Sequence, residues 1–260
     1  MISKNKLKLI NSLAHKKSRA KNKLFLAEGN NLVKDILKSE FEVKVLIGTE
    51  IFLESVEGYS SGIAEVIAVP QNEINKASLL SAPQQSIALC TIPGRDSAPP
   101  IATKDLNLCL DGIQDPGNLG TIMRIADWFG IKTIYASKNT ADIYNPKAVQ
   151  ATMGAITRVN IFYLELAGLF KEAIEKDIPV YGSFMSGQNI YSSRLKSNGL
   201  IVMGNEGNGI SSSLAPYMTH RIHIPGLFND EGNPPDSLNV SMATAIICSE
   251  FRREQLKSKE

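Results

Sequence analysis

The chain has 260 residues, 43% hydrophobic and 21% charged, with a formal net charge of only +2. That composition belongs to a soluble globular protein of one large or two modest domains and excludes wholesale disorder. The 3 cysteines (Cys90, Cys109, Cys248) lie far apart in apolar runs, and the 3 histidines (His15, His220, His223) share no ligand spacing with them. Neither a disulfide framework nor a metal site is expected, and a reducing cytoplasm fits. The opening MISKNKLKLIN is not expected to act as a signal peptide, and no apolar stretch reaches membrane-spanning length.

The first segment is basic. Lys4, Lys6, Lys8, Lys16, Lys17, Arg19, Lys21 and Lys23 occur with no acid among them. Leu7, Ile10 and Ala14 recur at helical spacing, so the front of this segment is a short amphipathic helix, whereas HKKSRAKNK is too polar to pack and is expected to be exposed. A charge run is usually a solvated face. The contrast with a remainder that has no basic excess points here to polyanion contact through Lys16, Lys17, Arg19, Lys21 and Lys23. KLFLAEG then reads as a strand, and NNLVKDILKS as a helix capped by Asn30 or Asn31. EVKVLIG, AEVIAVP and SIALCTI are strand-like, and NEINKASLLS is helical. This small α/β layer, residues 1–95, closes in a Pro-, Gly- and Ser-rich linker over 96–104.

Residues 105–260 alternate again. LNLCLDGI is a strand, NLGTIMRIADWFG a helix ended by Gly130, KTIYAS a strand, and PKAVQATMGAI a helix with Pro146 in its first turn. RVNIFYL, PVYGSF, GLIVMG and HRIHIP are strands, LAGLFKEAIEKD and SSLAPYM helices. A last helix starts near Ser237 and buries Val240, Ala243, Thr244, Ile247, Cys248 and Phe251. Repeated βα units with short apolar strands predict a mostly parallel sheet, whose ligands sit at the carboxyl ends of the strands. Trp128, at helical spacing, is expected in the core.

Three turn-rich corners follow strands: DGIQDPGNLGTIMR, MGNEGNGIS and IPGLFNDEGNPPDSLNVS. GNLG is not a dinucleotide fingerprint and no P-loop occurs, so a nucleotide-dependent dehydrogenase is poorly supported. Taken singly, GNEGNG is a turn, and SLNVS a helix start with Ser237 as the cap. Taken together, the corners resemble the three signature motifs of the SpoU/TrmH family of RNA 2′-O-ribose methyltransferases, in the SPOUT superfamily. The first motif is met by Asp111, Asp115, Pro116, Asn118, Gly120 and Arg124; the second by Gly204, Asn205, Glu206 and Gly207; the third by Ile224, Pro225, Ser237, Leu238, Asn239, Val240 and Ser241. The basic stretch with FLAEG resembles, less specifically, the small L30e-like RNA-binding domain of members that act on ribosomal RNA.

The resemblance implies a C-terminal parallel-sheet domain with a trefoil knot, a homodimer, and S-adenosylmethionine as methyl donor with no metal. It implies donor contacts from Gly204, Asn205, Gly207, Ile224, Pro225, Ser237 and Leu238. It implies a catalytic group of Asn118, Arg124, Glu206 and Asn239 acting on ribosomal RNA, with transfer RNA or a non-catalytic role in ribosome assembly as the alternatives. Guanidinium does not lose its proton, so Arg124 is expected to bind the neighbouring phosphate and polarise the hydroxyl. Asn118 either orients the hydroxyl or holds the loop; Glu206 either holds Arg124 or anchors the turn; Asn239 either contacts a ligand or caps the last helix. Arg252 and Arg253 are read as RNA contacts or as partners of their own helix dipole. The acidic stretch 226–236, with Asp230, Glu231 and Asp236, is longer than the family pattern and suits a lid or a dimer contact.

Overall fold

The computed structural model describes residues 1–59, 62–94, 98–227 and 237–257, the side chains of 254–257 excepted. It divides into two compact units. The first comprises Met1–Gly94 together with Asp142–Arg158, and the second Arg95–Ala141 together with Val159–Glu260. The helix PKAVQATMGAI, expected within the second half, therefore groups with the first unit.

In the first unit, helices α1 (Lys4–Ser12) and α2 (Lys16–Asn22) lead into β1 (Leu24–Glu28). Then follow α3 (Asn30–Leu37), β2 (Val43–Gly48), α4 (Glu50–Glu54), β3 (Glu65–Ala68), α5 (Gln71–Ala77) and β4 (Ser86–Thr91). The sheet order is β1-β4-β2-β3, with β4 antiparallel to both β1 and β2 and only β2–β3 parallel. Ile10, Leu13, Leu26, Ile47, Ile74 and Leu89 share its core. Two expectations change here. The polar stretch after Ala14 is helical, and Arg19 within it is only 2% exposed. The start of α3 is not capped by an Asn side chain, because Gly29, at φ 102°, occupies the cap position. The Asn30 carboxamide turns away to accept from the Gln85 backbone N–H at 3.0 Å.

The second unit holds β5 (Leu106–Leu110), α6 (Pro116–Trp128) and β6 (Thr133–Ser137). After α7 (Pro146–Ala151), which packs in the first unit, come β7 (Asn160–Leu164), α8 (Leu166–Glu175), β8 (Val180–Asn189), β9 (Gly199–Met203), β10 (His220–His223) and α9 (Val240–Lys257). Its six strands, in the order β10-β8-β9-β5-β6-β7, are all parallel. LNLCL and GLIVM are buried along their whole length, as unbroken apolar runs covered on both faces should be. Ile101, in the expected linker, is 4% exposed and joins this core, so one apolar side chain overrides the polar composition around it. The buried stripe of α9 includes Val240, Thr244, Ile247, Cys248 and Phe251, while Ala243 is half-buried. Among the described residues no helix is long and apolar enough to cross a membrane.

All three cysteine thiols are buried and unpaired. Burial pushes the Cys248 thiol up to about 12 and lifts Cys90 and Cys109 further. A thiol reagent at pH 8 should therefore label none of them in the native protein and all three in denaturant. Fast native labelling, followed by mass spectrometry, would contradict this packing.

Candidate active site

Parallel strands carry their carboxyl ends to one edge, so the corners after β5, β9 and β10 lie on the same side of the second sheet. The first corner turns at Gly112, whose φ of 71° favours glycine. Its backbone N–H donates to Ser137 Oγ at 2.8 Å. Asp115 caps α6 by accepting from the Asn118 backbone N–H at 2.9 Å, and Pro116 occupies the first turn. The helix thus begins earlier than the apolar periodicity suggests. Asn118, the first residue of the helix as read from the sequence, lies in its first turn.

The second corner is a closed loop. Asn205 and Gly209 exchange backbone hydrogen bonds at 2.9 Å. The Asn205 side chain accepts from the backbone N–H groups of Gly207 and Asn208, each at 3.0 Å, and donates to the Gly112 carbonyl at 2.8 Å. A Cβ on Gly204 would lie 2.1 Å from the Gly209 carbonyl carbon, so only glycine fits there. Asp111, 4% exposed at the end of β5, accepts from the Ser211 backbone N–H at 2.7 Å and from its hydroxyl at 2.5 Å. The first two corners are therefore sewn together at both ends of the loop.

A directional chain of side chains joins the third corner. The Glu206 carboxylate accepts from the Gln114 and Asp115 backbone N–H groups at 3.2 and 3.4 Å and from the Asn118 amide at 3.1 Å. A carboxylate only accepts, so the Asn118 NH2 must face it, and Asn118 Oδ1 faces the other way. That oxygen accepts from Asn239 Nδ2 at 3.1 Å, while the single hydrogen of the Ser241 hydroxyl goes to the nearer Asn239 Oδ1 at 2.5 Å. Asn239 Oδ1 in turn accepts from the Ser241 and Met242 backbone N–H groups at 3.0 and 3.4 Å. Each amide orientation is thus dictated by a neighbour that has no choice of role. Burial raises the Glu206 pKa, but the bonds from Asn118 and from the backbone of Glu206, Gln114 and Asp115 outweigh it, leaving the carboxyl below its usual value.

Several expectations are settled by this geometry. Glu206 anchors the turn and makes no bond to Arg124. Asn239, not Ser237, caps the last helix, which starts at Val240. Ser237 and Leu238 are exposed ahead of it, and Ile224 and Pro225 are half-buried after β10. Asp230, Glu231 and Asp236 lie outside the described residues. Arg124 is exposed on α6 and has no ion pair among the described residues. Trp128 is 84% exposed rather than buried. Arg252 caps α6 by donating to the Phe129 carbonyl at 3.0 Å, and Arg253 pairs with Glu250 at 2.9 Å. Lys16, Lys17, Lys21 and Lys23 are exposed, whereas Arg19 is withdrawn into an ion pair with Asp142.

Three contributors escaped the sequence reading. Asp111 and Ser241 stand in the motifs, yet their roles as tether and as amide partner appear only once the strands are ordered. The third is the end of β8. Its pairing with β10 jumps from Gly182↔Arg221 to Gln188↔Ile222, leaving Ser183–Gly187 unpaired. Because β8 runs between β9 and β10, this extension rises between the second and third corners. Phe184 lies there with the Arg221 guanidinium 3.6 Å from its ring centre. Nothing in the periodicity of the sequence marks it.

Residues 105–249 match the SpoU rRNA Methylase family, and residues 4–88 the MRM3-like substrate binding domain. The chain belongs to the SpoU rRNA methylase family. It is 30% identical over 249 residues, 95% of this chain and 96% of the relative, to the 23S rRNA (guanosine(2553)-2′-O)-methyltransferase RlmP of Bacillus subtilis. Among solved structures it resembles a TrmH-family protein from Porphyromonas gingivalis, with a TM-score of 0.85 and 38% identity over 98% of this chain and 99% of that one. An AdoMet-bound rRNA methyltransferase from Sinorhizobium meliloti gives a TM-score of 0.83 and 28% identity over 98% and 97% of the two chains.

Two outcomes test the architecture of this family site. Gly204→Ala should cost about 3 kcal/mol or more, since the added methyl meets backbone rather than a movable side chain; a denaturant melt unchanged from the parent would refute the close approach. Because the folded pKa of Glu206 lies below its unfolded value, the stability it contributes is present above about pH 4.5 and is lost as pH falls through the folded value. The stability difference between the parent and Glu206→Gln should therefore be constant near neutrality and shrink in acid, as read from urea melts across pH.

Proposed function

We propose that this chain methylates a ribose 2′-hydroxyl of ribosomal RNA, taking the methyl group from S-adenosylmethionine. The observation that carries the reading is the Glu206–Asn118–Asn239 chain, which leaves only donors facing outward. Among the described residues, Asn118 and Asn239 each keep one amide hydrogen unused, and Arg124 keeps its guanidinium. Donors suit a ribose oxygen and its neighbouring phosphate. They do not supply a base.

The residues present fit the methyl donor. The third corner carries open apolar side chains, Leu227 at 100% and Leu238 at 51% exposure, as well as half-buried Ile224 and Pro225, and such side chains suit an adenosine face. The closed loop of Gly204, Asn205 and Gly207 adds backbone polar groups. Bound there, S-adenosylmethionine supplies a methyl already activated on cationic sulfur, so the reaction asks for in-line alignment rather than a metal. Among the described residues no cluster of metal-ligating side chains occurs.

The roles divide as follows. Asn118, fixed in direction by Glu206, donates to the substrate and orients the hydroxyl. Arg124 binds the phosphate next to the ribose. The hydroxyl proton leaves to that phosphate or to water, because Arg124 cannot accept it and Glu206, held acidic by its hydrogen bonds, is a poor acceptor at neutral pH. The chain works as a homodimer in the cytoplasm, and Trp128 at the end of α6, 84% exposed, is the large apolar side chain offered to a second copy.

The deciding experiment offers purified, unmodified ribosomal and transfer RNA separately with labelled S-adenosylmethionine. Incorporation into ribosomal RNA that protects one phosphodiester from alkali is expected; donor binding with no transfer to either RNA, or to ribosomal particles, would reduce the chain to a binding factor. Arg124→Lys should lower kcat roughly 10–100-fold with donor affinity unchanged, because a point charge does not replace the planar fork. Near-normal transfer by that variant would remove the guanidinium from the mechanism.

A further inference from the structure

The basic helix α2 is poorly supported by its own sequence. It has no acid in its first turn and no side-chain cap at His15. Lys16 and Lys17 sit at its N-terminus, where cations oppose the helix dipole, and Lys17 and Lys21 are like charges at i, i+4. None of Lys16, Lys17, Lys21 and Lys23 has an acidic partner among the described residues. Such a helix needs an anchor outside itself.

That anchor is Arg19, which points away from Lys17 and Lys21 around the helix. Its Nη1 donates to the Leu13 and Ala14 carbonyls beyond α1, at 2.8 and 2.9 Å. Its Nε and Nη2 donate to Asp142 Oδ2 at 3.1 and 2.6 Å. The other oxygen of Asp142 accepts from the Tyr144 backbone N–H at 3.0 Å, so both carboxylate oxygens are engaged. Asp142 opens the segment Asp142–Arg158, which packs in the first unit although its two ends run into β6 and β7 of the second sheet.

We propose that Asp142 is a positioning residue for RNA binding. Through Arg19 it holds α2 so that Lys16, Lys17, Lys21 and Lys23 face the phosphate backbone as one rigid surface. This rests on the reading that these lysines bind the RNA. A buried ion pair is a weak source of stability but fixes direction well when its hydrogen bonds are satisfied, as they are here. The segment between β6 and β7 then contributes to substrate affinity without touching substrate.

The test compares Asp142→Asn, Arg19→Lys and a variant with all four lysines changed to Gln, each alone, and then Asp142→Asn within the four-Gln background. For each, the KM for RNA, kcat, the affinity for S-adenosylmethionine and the salt dependence of RNA binding are measured. Asp142→Asn is expected to raise the RNA KM roughly tenfold and flatten the salt dependence, leaving kcat and donor affinity unchanged. In the four-Gln background it should add nothing, which a merely structural role would not produce. If Asp142→Asn does not fold, Arg19→Lys, which keeps the charge and loses the fork, carries the same comparison. A raised KM in the four-Gln variant with normal values in both Asp142→Asn and Arg19→Lys, or an equal loss from Asp142→Asn in both backgrounds, overturns the inference alone. A normal KM in the four-Gln variant overturns the lysine reading beneath it.

Discussion

The site depends on one carboxylate. Glu206 takes up the backbone N–H groups of Gln114 and Asp115 and the amide of Asn118, and in doing so brings the loop after β9 onto the turn after β5. Those N–H groups stand near the start of a helix, where donors have no partners of their own. An anion at that place is favoured by the helix dipole as well as by the bonds. Once it is set, the direction of every later bond follows: Asn118 must turn its oxygen toward Asn239, and Asn239 must keep its own oxygen for the start of α9.

This ordering explains why the motifs are legible as letters but not as roles. LNLCL, GLIVM and the three corners could be read directly, because apolar runs of strand length bounded by turn residues have few other meanings. The reading of a parallel sheet with its ligands at one edge follows from the same pattern. The choice between anchoring a turn and holding Arg124 did not follow. Both need a carboxylate at Glu206, and only the placement of Gln114, 92 residues away in sequence, separates them. The cap of α9 moved from Ser237 to Asn239 for a similar reason. Both are good caps, and the one that wins also has Asn118 to bond.

Arg19 and Arg124 look alike in the sequence and differ in the fold. Each lies in a helix, and each was assigned to a phosphate. One is exposed; the other is 2% exposed and committed to Asp142, 123 residues later. Local composition cannot tell them apart, since a basic run gives the same signal whether all of it faces solvent or one member turns inward. Trp128 failed in the opposite sense. Its spacing suits a core, yet it stands 84% exposed, because periodicity marks which residues share a helix face but not whether that face is covered.

Beyond Glu206 the chain of bonds is carried by neutral amides rather than by further charges, and this has a chemical reason. A second carboxylate in place of Asn118 would face Glu206 directly, and one of the two would hold a proton at neutral pH. A lysine or arginine there would neutralise Glu206 and release the turn it anchors. An amide can accept on one side and donate on the other without altering the local charge. The direction set by Glu206 therefore reaches Asn239 intact, while the Arg124 guanidinium, exposed on α6, takes no part in this chain of bonds. A transfer that needs alignment, with its reactive charge supplied by the donor, is well served by a site whose direction is set by one carboxylate and passed on by neutral amides.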